Sequence, residues 1–169
     1  TARRRQQARD EILSAARQVL DTRGLARLTL TSVARELQLT KAALYYYFPS
    51  KEALLFELLY EALMREMDAV ERALNSSVSG GPTALETMIR SLAAHYAAHP
   101  LEFKLVYLHP QLMTDAAAFD AEMLARIRPL NDRLYGRVAA AVEADREAGH
   151  LPPGLPARHR RCEKLHRLR

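Results

Sequence analysis

Two lysines and several tyrosines are crowded into the stretch LTKAALYYYFPSKEALL, residues 39 to 55. Lys41 and Lys51 can donate hydrogen bonds to base edges or phosphates, and the hydroxyl groups of Tyr45 and Tyr46 suit phosphate oxygens. Residues of these types, so close together, are typical of a surface that contacts a polyanion.

The local sequence predicts two short helices that would carry these side chains. Thr29 can cap a helix of about eight residues, and Thr40 can cap a second helix that runs to about residue 47. Two short helices joined by a tight turn form a helix-turn-helix, whose second helix fits the major groove of DNA. On this interpretation Lys41, Ala42 and Tyr45 face the bases, while Tyr46 reaches a phosphate and Leu44, Tyr47 and Phe48 turn inward.

Lys51 is placed unfavourably for an ordinary helix, because it follows the predicted cap Ser50 in the first turn. A cation there opposes the helix dipole by a few tenths of a kcal/mol. Beside a phosphate the arrangement becomes favourable, since the helix N-terminus and the ammonium attract the same anion. We therefore predict that Lys51 clamps a phosphate; the alternative is a solvated lysine.

The remaining pattern is helical as well, and no segment alternates as a strand would. A helix is predicted over 9–22 with Gly24 as its stop, and a long amphipathic helix begins after Ser50. Thr83 and Glu86 form a capping box for a helix that ends before Pro100. Further helices are predicted over 101–109 and about 115–148, the latter containing Pro129 and ending at Gly149. The fold class is all-α.

Composition restricts the class of protein. The chain has 169 residues, 49% of them hydrophobic, and a single cysteine, Cys162, so no internal disulfide can form. We expect a cytoplasmic location, because there is no signal peptide and no apolar run of about 20 residues.

Charge is distributed unevenly along the chain: residues 1–52 contain 10 Lys/Arg and 5 Asp/Glu, whereas residues 53–156 contain 9 Lys/Arg and 14 Asp/Glu. This asymmetry suggests that the basic N-terminal end meets the polyanion. Arg3, Arg4 and Arg5 are either a disordered arm for DNA or an ordinary basic terminus.

The segments ILSAARQVLDTRG and TLTSVARELQLTKAALYYYFPSKEALL, within residues 9 to 55, resemble the DNA-binding domain of the TetR family of transcriptional regulators. The resemblance implies a homodimer that binds a double-stranded DNA operator and is controlled by a small-molecule effector. It also implies that Thr31, Lys41, Ala42 and Tyr45 approach bases, and that the DNA backbone is contacted by Thr29, Thr40, Tyr46 and Lys51.

The chain departs from the family at two points. Gln38 stands in the turn where glycine is common, which costs roughly 1 kcal/mol if the backbone there is left-handed. Residues 157–169 are basic and lack an apolar stripe where the family has dimerisation helices. The expected domains are a helix-turn-helix DNA-binding domain over 1–49, a helical effector-binding regulatory domain over 50–156 and a basic tail over 157–169, interpreted as a truncated dimerisation region.

Large apolar side chains at helical spacing are the candidates for the effector pocket, although the same pattern is typical of a plain core. No charged residue stands out among them, which favours an uncharged or lipophilic effector. The candidates are Phe56, Met88, Leu92, Tyr96, Phe103, Tyr107, Met113, Phe119 and Met123.

Signatures of catalysis and of cofactor binding are absent from the sequence, so we expect a protein that is not an enzyme. His95 and His99 are spaced to share a zinc ion only if a third ligand such as His109 approached, and we predict no metal site. The leading interpretation is a ligand-responsive DNA-binding regulator that acts as a repressor. The alternative is a helical small-molecule-binding or interaction protein that no longer binds DNA.

Overall fold

A computed structural model describes residues 2–76, 83–108 and 121–152. The described residues are helical and contain no strand, as the all-α prediction requires. Seven α-helices follow one another: α1 (Ala2–Arg23), α2 (Leu30–Glu36), α3 (Lys41–Tyr47), α4 (Lys51–Asn75), α5 (Ala84–Ala98), α6 (Pro100–Phe103) and α7 (Ala121–Glu147). A 3-10 turn (Leu25–Arg27) precedes α2, and α6 continues as a π-helical segment (Lys104–Leu108).

Hydroxyl side chains begin four of these helices at the predicted positions. Thr29, Thr40, Ser50 and Thr83 each accept a hydrogen bond from a backbone N–H in the first turn of α2, α3, α4 and α5. Such caps satisfy amide groups that would otherwise lack a partner. The predicted starts of these helices are therefore confirmed.

Three helices are followed by a residue whose backbone is in the left-handed conformation, with positive φ. Gly24 (φ 76°) follows α1 and Gly149 (φ 75°) follows α7, as predicted. After α2 the same conformation is adopted by Gln38, whose φ is 54°. The amide of Gln38 bonds to the Arg35 carbonyl and that of Leu39 to the Ala34 carbonyl, which is the Schellman pattern. The turn thus keeps its usual hydrogen bonds although its central residue has a β-carbon.

Helix α1 is longer than the sequence predicted. It begins at Ala2 rather than near residue 9, so Arg3, Arg4 and Arg5 lie in its first turns. The idea of a disordered arginine arm is wrong for this structure. The apolar pattern could not reveal this extension, because the six buried residues of α1 all lie between Ile12 and Leu20.

Two groups of buried side chains form the core. The first joins α1, α2, α3 and the beginning of α4, from Ile12 through Leu58, and also includes Leu105 from the π-helical segment. The second joins α4, α5 and α7 around Val70, Met88 and Ala141. Helix α4 contributes to both groups, so it connects the helix-turn-helix to the helices that follow.

Candidate DNA-binding surface and effector site

Helix α3 exposes the side chains that the sequence assigned to DNA. Leu44 and Phe48 are buried and Tyr47 packs partly against the same core, as predicted. The opposite face presents Lys41, Ala42, Tyr45 and Tyr46, all exposed. Tyr46 is 68% exposed, so its aromatic ring is largely in contact with water. Exposed apolar area of this kind is typical of a surface that binds a partner.

The threonine hydroxyls of this region already serve as helix caps. Thr29 accepts from the Ser32 amide at 3.0 Å, and Thr40 accepts from the Ala43 amide at 3.1 Å. A hydroxyl that accepts in this way still has its own proton to donate. Both side chains are exposed, as is Thr31 in the first turn of α2, so each can meet DNA.

Lys51 reaches back toward the 3-10 turn that precedes α2. Its Nζ lies 3.4 Å from the carbonyl oxygen of Leu25, a long hydrogen bond that leaves further N–H donors on the ammonium. The phosphate contact of Lys51 stays a prediction. The structure places the ammonium at the N-terminus of α4, where the predicted clamp requires it.

Two arginines of α1 contact α3 and the residue that follows it: Arg9, which the sequence analysis did not select, and Arg5, which it named only as part of a possible arm. Arg9 donates from Nη1 to the Tyr47 carbonyl at 3.1 Å, and its guanidinium lies 4.6 Å from the centre of the Phe48 ring. Arg5 lies 5.5 Å from the ring centre of Tyr46. Arg9 is 38 residues from Tyr47 in the chain, so spacing alone could not have found this contact.

The structure separates the predicted pocket residues into several groups. Tyr96, Phe103 and Tyr107 come together, with ring centres 5.2 to 5.5 Å apart, and are hereafter called the aromatic cluster. Met88 and Leu92 belong to the second core group. Phe56 is buried elsewhere on α4, stacked on Tyr60 and beneath Arg126. Met113, Phe119 and the side chain of Met123 lie outside the described residues.

A buried carboxylate borders the aromatic cluster. Glu66, on α4, is only 1% exposed and accepts a hydrogen bond from the Tyr107 hydroxyl at 3.1 Å. The buried Tyr96 hydroxyl lies close to it, but makes no hydrogen bond of acceptable geometry within the described residues. Burial is the main cause that raises the pKa of both Tyr96 and Tyr107, and the nearby Glu66 carboxylate raises it further. Both hydroxyls therefore stay neutral donors. The sequence analysis missed Glu66, because a glutamate on an amphipathic helix is normally exposed.

A second carboxylate, Glu102 on α6, anchors a chain of charged side chains. Arg65 Nε lies 2.6 Å from Glu102 Oε1, and His95 Nε2 lies 2.9 Å from Oε2. Arg65 Nη1 also lies 3.6 Å from Glu61, which in turn contacts Arg17 of α1. The charged chain, as it is called hereafter, consists of Arg17, Glu61, Arg65 and Glu102 and connects α1 with α4 and α6, while His95 of α5 lies beside Glu102.

The histidine pair does not form a metal site in the part of the chain that the structure describes. His95 faces Glu102 and His99 is exposed, although their rings are 5.0 Å apart. No three His, Cys, Asp or Glu side chains among the described residues are arranged to hold a metal ion. His109 lies outside those residues. No described helix is long and apolar enough to cross a membrane.

Comparison with known proteins agrees with this geometry. The model of bacterial regulatory proteins of the tetR family matches residues 12–58, from α1 into α4. The chain belongs to the TetR family. Several of its relatives are named as transcriptional regulators, which agrees with the expectation that it is not an enzyme.

Individual relatives differ in how much of their length is matched. The regulator EthR of Mycolicibacterium smegmatis is 26% identical over 86% of this chain and 64% of its own. The repressor DrrR1 of Streptomyces coeruleorubidus is 32% identical over 72% of this chain and 43% of its own. The chain therefore spans between about two fifths and two thirds of these two relatives. The TetR-family regulator PfmR of Thermus thermophilus superposes with a TM-score of 0.67 over 85% of this chain and 75% of its own, at 25% identity.

Proposed function

We propose that this protein is a transcriptional regulator that binds operator DNA through α3, as a homodimer, and is released by a small molecule. The observation that carries the proposal is the exposed face of α3, held in place by buried Leu44 and Phe48 inside a TetR-type domain. Lys41, Ala42 and Tyr45 would contact bases in the major groove. Binding to an operator would place the protein in the cytoplasm, as the sequence analysis expects.

Residues at the edge of α3 would hold the protein on the DNA backbone. Thr29, Thr40, Tyr46 and Lys51 are the groups proposed to contact phosphates. Arg5 extends the basic surface beside Tyr46. These contacts would set the affinity and its salt dependence, whereas the residues that face the bases would set the preferred sequence.

Helix α4 is the element best placed to transmit a signal from effector to DNA. It begins beside the DNA-binding surface and extends over 25 residues, about 37 Å, to the second core group. Glu66 and the charged chain lie along it. A small molecule bound near the aromatic cluster would change the tilt of α4 and with it the spacing of two DNA-binding domains in a dimer.

Selection of bound sequences from random DNA tests the proposal directly. A dimeric repressor should enrich two half-sites related by a two-fold axis and separated by about one helical turn. Enrichment of single half-sites would remove the dimer from the proposal but keep the DNA-binding role. Equal retention of all sequences, or no retention at physiological salt, would instead favour a helical binding protein that has lost DNA recognition.

A further inference from the structure

The aromatic cluster has a property that an ordinary apolar pocket lacks, because a carboxylate is buried against it. Glu66 is 1% exposed, and no Lys, Arg or His side chain in the described part of the chain lies within 4 Å of its oxygens. The neighbouring Arg65 points to Glu61 and Glu102 instead. A buried carboxylate without a cationic partner is costly to a folded protein.

In the part of the chain that the structure describes, the surroundings of Glu66 provide a hydrogen bond but no compensating positive charge. Tyr107 donates to the carboxylate, and the Tyr96 hydroxyl lies nearby without a partner of acceptable geometry among the described residues. Raised pKa values keep both hydroxyls neutral, so neither tyrosine can add a second negative charge. The described residues thus contribute one carboxylate, two hydroxyls and three aromatic rings to the site.

Aromatic rings around a carboxylate are the chemistry that recognises an organic cation. Ring faces attract positive charge through their quadrupole, and the attraction strengthens when water is excluded. Phe103 and Tyr107 are each 42% exposed, so the cluster is open on one side while its carboxylate is buried. A ligand that covered the exposed rings would have its charge attracted toward Glu66.

We propose that the effector is a lipophilic organic cation, whose apolar body covers the aromatic cluster and whose positive charge is neutralised by Glu66. This inference rests on the proposed function, since it names the chemical class of its effector. The sequence predicted an uncharged or lipophilic effector. The inference agrees with the lipophilic character but assigns the effector a positive charge. An uncharged effector would leave Glu66 buried without a counter-charge.

Tetraphenylphosphonium and tetraphenylborate provide a matched test, because they have nearly the same size and shape but opposite charge. Binding of each to the full chain is measured by calorimetry in the absence of DNA. Tetraphenylphosphonium should bind the parent at least tenfold more tightly than tetraphenylborate. Glu66→Gln should lose at least tenfold of the affinity for the cation, whereas Asp68→Asn, an exposed site on the same helix, should lose less than twofold.

A folding control keeps the experiment decisive. Glu66→Gln preserves the side-chain shape and removes the cost of the buried charge, so it should unfold thermally at or above the temperature of the parent. If this variant misfolds, Tyr107→Phe, which removes one hydroxyl at a half-open site, should still weaken cation binding about threefold or more. Equal binding of the two ions, or cation binding unchanged in folded Glu66→Gln or Tyr107→Phe, would overturn the inference. Neither result touches DNA binding, which the sequence selection tests separately.

Discussion

At the scale of single residues, Lys41 and Lys51 are predicted to contact DNA in two different ways. Lys41→Ala should cost about 1 to 3 kcal/mol at the operator and relax preference at one position of each half-site, because a base contact carries sequence information. Lys51→Ala should weaken binding to all sequences alike and reduce the salt slope by roughly 0.9, because it removes one phosphate contact. Fluorescence anisotropy over a salt series, on operator and random DNA, measures both.

The two variants serve as controls for each other. Both remove one positive charge from the same surface, so a nonspecific effect of charge would change them equally. A Lys41→Ala variant that lost the same affinity on operator and random DNA would belong with the phosphate contacts. A Lys51→Ala variant with a changed preferred sequence would contradict the clamp.

Gln38 is a residue whose backbone strain can be relieved by substitution. Its φ of 54° is favourable for glycine and unfavourable for a residue with a β-carbon. Gln38→Gly should therefore raise the free energy of unfolding by about 0.5 to 1 kcal/mol in urea denaturation. Gln38→Ala keeps the β-carbon and should give no such gain. Equal stability of the two variants would show that the turn carries no strain.

At the scale of helices, the local signals in the sequence were sufficient to place most elements. Thr29, Thr40, Ser50 and Thr83 each cap a helix within their own next three residues, so a short window contains the whole interaction. The start of α1 was misplaced because its first turns bury no apolar residue. Element order and type therefore followed from the sequence, while one boundary did not.

Contacts between helices explain what the sequence could not predict. The buried Glu66 accepts a hydrogen bond from Tyr107, 41 residues away, and the guanidinium of Arg9 bonds to a carbonyl 38 residues away. A helical pattern reports which face is apolar, but it does not report which polar residue another helix covers. The candidate pocket was incomplete for this reason, since Glu66 was not among the residues that the sequence selected.

Asp145 shows how such a contact stabilises the arrangement of two helices. From the last turn of α7 its carboxylate accepts from the Ala84 and Leu85 amides, both at 3.0 Å, at the start of α5. Burial alone would raise its pKa, but hydrogen bonds from the amide of Leu85, from Thr83 and from the amide of Ala84, helped by His150, lower it. The carboxylate thus caps a helix 60 residues away in the chain.

Removing this charge should loosen the contact between α5 and α7. Asp145→Asn replaces one accepting oxygen with an NH₂ group that faces an amide donor, so we expect Tm at pH 7 to fall by about 2 to 4 °C. Because the folded-state pKa is lowered, the parent should lose this stability as the pH falls below about 4, and the variant should lack that part of the acid dependence. Glu143→Gln, an exposed carboxylate on α7, is the control. Parallel melting curves of variant and parent between pH 7 and 3 would exclude the cap as a source of stability.

At the scale of the whole molecule, the charged chain provides the physical connection between the proposed DNA and effector sites. It runs from Arg17 on α1 through Glu61 and Arg65 on α4 to Glu102 on α6, with His95 on α5 beside it. The side chain of Glu102 is only 11% exposed, so its pairing with Arg65 is screened by water less than a surface pair would be. If a ligand displaced α6, these ion pairs would transmit the displacement to α4 and α1.

This connection predicts a reciprocal linkage between operator and effector. A small molecule that releases the operator must bind more weakly to the DNA-bound protein by the same factor, typically 5- to 150-fold. Arg65→Gln should reduce that factor in both directions, because it breaks the charged chain between α4 and α6 while leaving α3 and the aromatic cluster in place. Arg90→Gln removes an exposed arginine that pairs within α5 and should leave the factor unchanged. Calorimetric titration of the effector with and without operator DNA measures the factor in each variant. If operator DNA leaves the effector affinity of the parent unchanged, the two sites are not coupled and α4 transmits no signal. If Arg65→Gln retains the full factor, as Arg90→Gln is expected to, the signal passes through the packing of α4 rather than through its charges.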